Sequence, residues 1–289
     1  MYNPSHGRVG PTVTDSPTSL RFREMAARAE ADVDLAEAAL LIAGDEYPDL
    51  DVARYLARLD GLGTALRERA AGADVEETVE ALNRLLFEEE GFHGNTESYY
   101  DPRNSFLNDV LDRRTGIPIS LSTVYIEVAR RAGVAVEGVG LPGHFLVRVA
   151  SPAAPLLVDP FHGGVRLTLE DCQRRLDRIY SGRLRLEPRM LAPCRRKAIL
   201  ARTLRNLKGI YEKAGDFERA LRTVDMLLSL DPESGEDVRD RGLLLAALDC
   251  YGAAASELER YLALWPKSSD APRLGARIAE LRARAARVN

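Results

Sequence analysis

From Leu20 to Leu111 apolar residues return at helix spacing: Ala36, Leu40 and Leu41, then Tyr55, Leu56, Leu59 and Leu62, then Val79, Leu82, Leu85 and Leu86. That recurrence puts the side chains on one face of a helix. Pro48 and Gly72 interrupt it, so three or four antiparallel helices are expected. The pattern changes between Gly116 and about Leu169. Pro118 to Ala132 reads as a helix, with proline in its first turn and Gly133 just past its end. Short Val-rich runs follow, Val134 to Val139, Phe145 to Val149 and Leu156 to Val158, separated by Gly/Pro clusters that mark turns. Strands without intervening helices pair antiparallel. One helix followed by such a run is an α+β arrangement.

From about Leu200 the pattern is helical again, and the chain there resembles itself. An offset of 34 residues sets Ala220 over Ala254, Phe217 over Tyr251, Tyr211 over Leu245, Leu227 over Tyr261 and Pro232 over Pro266. These are the small, aromatic and proline positions of a tetratricopeptide repeat. The small residue lets two helices approach, the bulky ones fill the space beside it, and proline closes the unit. Residues 273–288 read as an Arg-rich amphipathic helix able to cap the array. The alternative is a plain helical bundle. The expected organisation is a disordered tail over 1–18, rich in proline and glycine, a helical region over 19–111, an α+β core over 112–195, and two repeats with a capping helix over 196–289.

Composition narrows the function classes. The 289 residues are 45% hydrophobic and 29% charged, enough apolar material for packed cores. Forty basic residues against 44 acidic ones, a net charge of -4, give no global attraction for nucleic acid or an anionic membrane. No apolar run approaches the roughly 20 residues that span a bilayer, and the first residues lack a signal-peptide pattern. Cys172, Cys194 and Cys250 lie far apart without a CxxC, which suggests neither a disulfide framework nor structural zinc. A reducing cytoplasm is the expected setting.

Candidate chemistry concentrates in the α+β segment. His144 opens one strand and Asp159 closes the next, so a hairpin would set them side by side. A carboxylate there would orient the imidazole as a general base. The bland alternative is a buried histidine satisfied by a backbone carbonyl and an aspartate starting the Asp159-Pro160 turn. Tyr99, Tyr100, Asp101, Arg103, Asn104 and Asn108 form a dense polar set before the core helix. They either line a cleft with His144 or build a turn and helix cap. His162 beside Gly163-Gly164 and His93 beside Gly94 belong to no set with metal-ligand spacing, so no metal is expected. No phosphate-loop pattern supports a nucleotide, and no other cofactor is implied.

A helix beginning after Gly116, ending in Arg130-x-x-Gly133, then a His144 strand and a strand ending Asp159-Pro160, resembles the transglutaminase-like superfamily. The resemblance implies a papain-like helix-plus-sheet core and a Cys-His-Asp triad, with His144 and Asp159 in the histidine and aspartate roles. The cysteine does not carry over. Aligning Gly116, Arg130 and Gly133 puts Pro118 at the nucleophile position, and Ser120 is the nearest nucleophilic side chain. A serine lacks the acidity of a thiol and needs a well-aligned base, while a serine at a helix start ordinarily satisfies backbone amides. The wider set of Asn83-Arg-Leu-Leu-Phe87, Gly91-Phe-His-Gly-Asn95, Tyr99 to Ser105, Gly116 to Ser120, Pro142 to Phe145 and Asp159 to Gly164, followed by the repeats, is similar to bacterial proteins labelled regulators of sirC expression.

Three functions stay open. The favoured one is a non-catalytic regulatory scaffold that binds a protein or peptide through the repeats and a cleft lined by Tyr100, Asn104, Asn108 and His162. The second is an amide hydrolase or acyl transferase with Ser120 or water as nucleophile and His144 and Asp159 as base and orienter. The third is a structural repeat protein with an inert cleft.

Overall fold

The computed structural model describes residues 17–152 and 154–288. The expected disordered tail lies outside the described residues up to position 16, and the first helix, α1 (Pro17–Ala26), begins inside its assigned end. The chain divides into two compact units, one of residues 28–203 and one that joins α1 to the residues from Leu204 onward.

In the unit of residues 28–203, three helices start on aspartate caps. Asp34 accepts from the Glu37 amide at α2 (Leu35–Gly44), and Asp51 from the Arg54 amide at α3 (Val52–Arg69). Asp74 and Glu77 form a reciprocal capping box at α4 (Val75–Asn83). The chain then widens into a π-type turn over Arg84–Glu89. Strand β1 (His93–Gly94), helix α5 (Leu107–Arg113) and strand β2 (Thr115–Gly116) lead to α6 (Pro118–Arg131). β1 and β2 pair in parallel, His93 opposite Thr115.

Helix α6 is the central element, buried at every position from Pro118 to Ala129. Its Glu127 is buried among the guanidinium groups of Arg130 and Arg131, which keeps the carboxylate paired. A Cβ on Gly63 of α3 would stand 2.3 Å from the Arg131 Cβ, so glycine is what lets α3 approach α6.

Strands β3 (Val136–Val139), β4 (Leu146–Val149), β5 (Leu156–Asp159) and β6 (Val165–Leu167) form one antiparallel sheet in that order. Val147 lies opposite Gly138 on one side and Val158 on the other. Val139, Leu146 and Leu157 form a cluster with Cys172 and Leu176 of α7 (Leu169–Tyr180), while α6 packs against β3 and β4. This is the expected helix-plus-antiparallel-sheet core. β6 and α7 extend it beyond the expected strands, because Val165 and Leu167 are too few to register as a pattern.

The other unit is helical. It holds α8 (Arg196–Ala214) from Leu204 on, α9 (Phe217–Leu230), α10 (Gly235–Ala247), α11 (Tyr251–Leu264) and α12 (Ala271–Val288). Both ends of α11 fall 34 residues after those of α9. Ala220 and Ala254 are both fully buried, and a Cβ on Gly242 of α10 would stand 2.8 Å from the Leu258 side chain of α11. Small residues therefore set the helix spacing. Helix α12 buries Leu274 and Leu281 and lays Arg284 over the Tyr251 ring. Helix α1 packs on α9 with Phe22 and Met25 buried, so it accompanies the repeats and not the helices that follow it in sequence. Five α-helices, not three or four, precede α6 among the described residues, and the break at Ala29–Val33 between α1 and α2 carries no Pro or Gly by which it could be read.

Candidate functional site

The site grows from two turns. Leu141 to His144 closes with the His144 amide donating to the Leu141 carbonyl at 2.9 Å, and Gly143 has φ +72, a left-handed conformation that favours glycine. Arg202 holds this turn from outside, donating to the Leu141 and His144 carbonyls at 3.1 and 2.8 Å while its guanidinium covers the Phe145 ring. The second turn follows β5. Asp159 Oδ1 accepts from the Phe161 amide, and its carbonyl accepts from the Gly164 amide. Asn83 donates to the Gly164 carbonyl at 2.9 Å and accepts from the Tyr125 hydroxyl at 3.1 Å. It thereby ties this turn to α4 and α6. A Cβ on Gly164 would stand 2.2 Å from Asn83 Oδ1, so only glycine fits.

These turns bring His144 Nε2 to 3.0 Å and His162 Nδ1 to 2.8 Å from a single oxygen, Asp159 Oδ2. Arg175, from α7, reaches the same point. Its Nη1 lies 2.5 Å from Asp159 Oδ2, 2.7 Å from His144 Nε2 and 3.3 Å from His162 Nδ1. Asp159 is fully buried, His144 is nearly so, and His162 is half exposed. Phe161 meets the His144 ring edge-on at 6.0 Å, and Tyr99 packs on Phe161 at 6.2 Å. Phe161 in turn rests on Gly94, where any Cβ would collide with its ring.

Burial pushes the His144 imidazole below its ordinary pKa, Asp159 pulls it up, and the positive charge of Arg175 adds to the lowering, so the ring is neutral near pH 7. Burial works to raise the Asp159 carboxyl, yet the His144 bond and the charges around it hold the group below its ordinary range. No hydrogen bond to His144 Nδ1 occurs among the described residues, and Nδ1 is the basic atom of the imidazole in the tautomer whose Nε2–H donates to Asp159.

Comparison with known families finds the transglutaminase-like superfamily over residues 53–205 and a tetratricopeptide repeat over residues 207–279. The UPF0162 protein of Xylella fastidiosa strain 9a5c is 42% identical over 243 residues, which cover 81% of this chain and 85% of that protein. The chain belongs to the UPF0162 family. The UPF0162 protein of Pseudomonas aeruginosa is 36% identical over 86% of this chain and 90% of its own length. Mouse F-box only protein 21 is 28% identical over 204 residues, which span 67% of this chain and 29% of that longer protein. No solved structure matches.

In this UPF0162 chain the residues singled out from sequence fall into two groups. His144, Asp159 and His162 converge. Ser120 does not join them: its hydroxyl donates to the Asn104 carbonyl at 2.6 Å and accepts from the Ile117 amide at 3.0 Å, and none of its hydrogen bonds goes to His144. Asn104 is fully buried and turned into its own loop, donating to the Ser98 and Tyr99 carbonyls and accepting from Asn95. Asn108 is buried too, its Oδ1 without a partner among the described residues. Both asparagines are therefore buried where the sequence reading set them in a cleft lining, and the Asn104 amide serves the inside of its own loop. Tyr100 is largely exposed beside Tyr99. Two contributors had no site role in the sequence reading: Arg175 sits in an Arg-rich helix with no local signal, and Asn83 stood out only within the Asn83–Phe87 stretch of the family resemblance.

Proposed function

We propose that this UPF0162 chain is a protein- or peptide-binding scaffold of regulatory character, of the kind labelled regulator of sirC expression, whose transglutaminase-like domain performs no covalent catalysis. The observation that carries this reading is the start of α6. Pro118 stands where the resemblance puts the nucleophilic cysteine, and the Ser120 hydroxyl is committed to Ile117 and Asn104. A hydroxyl held by two buried backbone groups is not available to a base. Recognition is assigned mainly to the repeats, an architecture that commonly mediates protein interactions. The recurrence of the fold within the longer F-box only protein 21 supports its use as a module. A reducing, cytoplasmic setting agrees with three free thiols, and no helix among the described residues is long and apolar enough to cross a membrane.

One observation favours a second reading. The Asp159-bound His144 with its open Nδ1 is a base able to activate water for amide hydrolysis without Ser120. Quantitative capture from a cell lysate separates the two, using the intact chain, His144→Ala, and a chain ending at Thr203 verified as folded by circular dichroism. The scaffold reading expects the same partner on the first two and its loss from the third. Equal capture by the shortened chain overturns it.

A further inference from the structure

We infer that His144, Asp159 and His162 form a three-ligand site for a divalent cation of the zinc class, closed in this structure by the guanidinium of Arg175. The first argument is geometric. His144 Nε2, Asp159 Oδ2 and His162 Nδ1 all lie within 4.8 Å of one another, with 3.0 and 2.8 Å between the carboxylate oxygen and the two nitrogens. Two ligand atoms each about 2.0–2.1 Å from one zinc ion stand roughly 2.9–3.4 Å apart for angles between a right angle and the tetrahedral value. The 3.0 Å separation falls within that range and the 2.8 Å one just below it. Two imidazoles and a carboxylate are also the donor types that zinc takes in three-ligand sites.

The second argument concerns what occupies the point of convergence. Arg175 Nη1 touches all three ligand atoms, at 2.5, 2.7 and 3.3 Å. A guanidinium only donates, so its contact with His144 Nε2 requires a lone pair on that nitrogen. The 3.0 Å contact between Nε2 and Asp159 Oδ2 is a hydrogen bond only if the same nitrogen carries a proton. One atom cannot satisfy both. The conflict disappears if Nε2 and Oδ2 both direct lone pairs at a cation between them, the place that Arg175 holds here and that a metal ion would take on exchange. Arg175 is a cation that can leave, since its side chain is one-fifth exposed at the end of a flexible stem.

The ligand shell is supported from behind. Asp159 Oδ1 is held by the Phe161 amide, and His144 is fixed at its backbone by Arg202. Such outer contacts keep ligands aimed when the cation exchanges. The set is invisible in sequence because two strands and a turn supply it, so it has no ligand spacing along the chain.

The test uses the full chain, freed of metal with a chelator and titrated with Zn2+ by calorimetry and with Co2+ by visible absorption. The expected result is one ion per chain, with Co2+ giving the intense bands of a low-coordinate site. His162→Ala, at a half-exposed position that tolerates replacement, should weaken binding by at least about tenfold, since losing a ligand costs no less than losing an outer supporting residue. Arg175→Met should tighten it by removing the competing cation. Absence of saturable binding by the natural chain overturns the inference, even if Arg175→Met binds. Binding that His162→Ala and His144→Ala both leave unchanged locates the ion elsewhere and overturns it as well. Zinc binding that Arg175→Met fails to tighten overturns the exchange with the guanidinium. Each of these outcomes is distinct from the partner-capture experiment, and none depends on it.

Discussion

The Ser120 hydroxyl oxygen lies 2.6 Å from the Asn104 carbonyl oxygen, joining the first turn of α6 to the loop that precedes α5. The same oxygen accepts from the Ile117 amide, so one buried atom satisfies two backbone groups that have no other route to water. Ser120→Ala leaves both unsatisfied and should cost about 1–3 kcal/mol in urea unfolding. An unchanged midpoint would mean that water replaces the hydroxyl and that the serine is not structural.

Acid should destabilise the fold through His144. Its pKa in the folded chain lies below the ordinary value, chiefly because the ring is buried. Above about pH 6.5 neither state holds the proton. As pH falls through that value the unfolded chain takes up a proton that the folded site refuses, so stability declines. Asp159, also held below its ordinary range, contributes in the same direction only at more acid pH, near and below about 4. Urea unfolding at pH 7 and pH 5 should show a smaller loss for His144→Gln than for the natural chain. An equal loss would place the acid-sensitive group elsewhere.

The two histidine-site residues best legible in sequence were those a hairpin must bring together. β4 and β5 pair with Val147 opposite Val158, and that register carries His144 and Asp159 to one end of the sheet. The repeats were legible because their packing rule repeats in sequence, as the matched ends of α9 and α11 show. Arg175 was not legible. Arg174, Arg175 and Arg178 look alike along α7, and only the crossing of that helix over the sheet selects one. Asn104 differs for the opposite reason: polarity signals hydrogen bonding but not direction, and its bonds turn inward.

The repeat packing predicts a cost for enlarging Ala254. The residue is fully buried on α11, which packs on α10, so no open space receives a larger side chain. Ala254→Leu should lower stability by about 1–3 kcal/mol through overpacking. Thermal unfolding monitored by circular dichroism checks it, and an unmoved midpoint would count against the close approach.

The thiols should be slow. Burial raises the pKa of Cys172, Cys194 and Cys250, and Cys172 is fully inaccessible. Iodoacetamide at neutral pH should modify each more slowly than free cysteine, with reactivity restored in denaturant. A cysteine that reacts faster than the free amino acid would reveal an activated thiolate, and with it a nucleophile outside the start of α6.

The central claim is that the transglutaminase-like domain carries out no acyl transfer. The direct measurement is ammonia release from glutamine-containing peptides, followed together with the intact mass of the protein to detect an acyl adduct. With proline at the expected nucleophile position and the Ser120 hydroxyl committed to Ile117 and Asn104, the scaffold reading has no covalent route that divides the reaction into two easier steps. The account expects no adduct, and release no greater from the natural chain than from His144→Ala. Release that His144→Ala abolishes would contradict it, and an adduct lost in Ser120→Ala would make that serine the nucleophile.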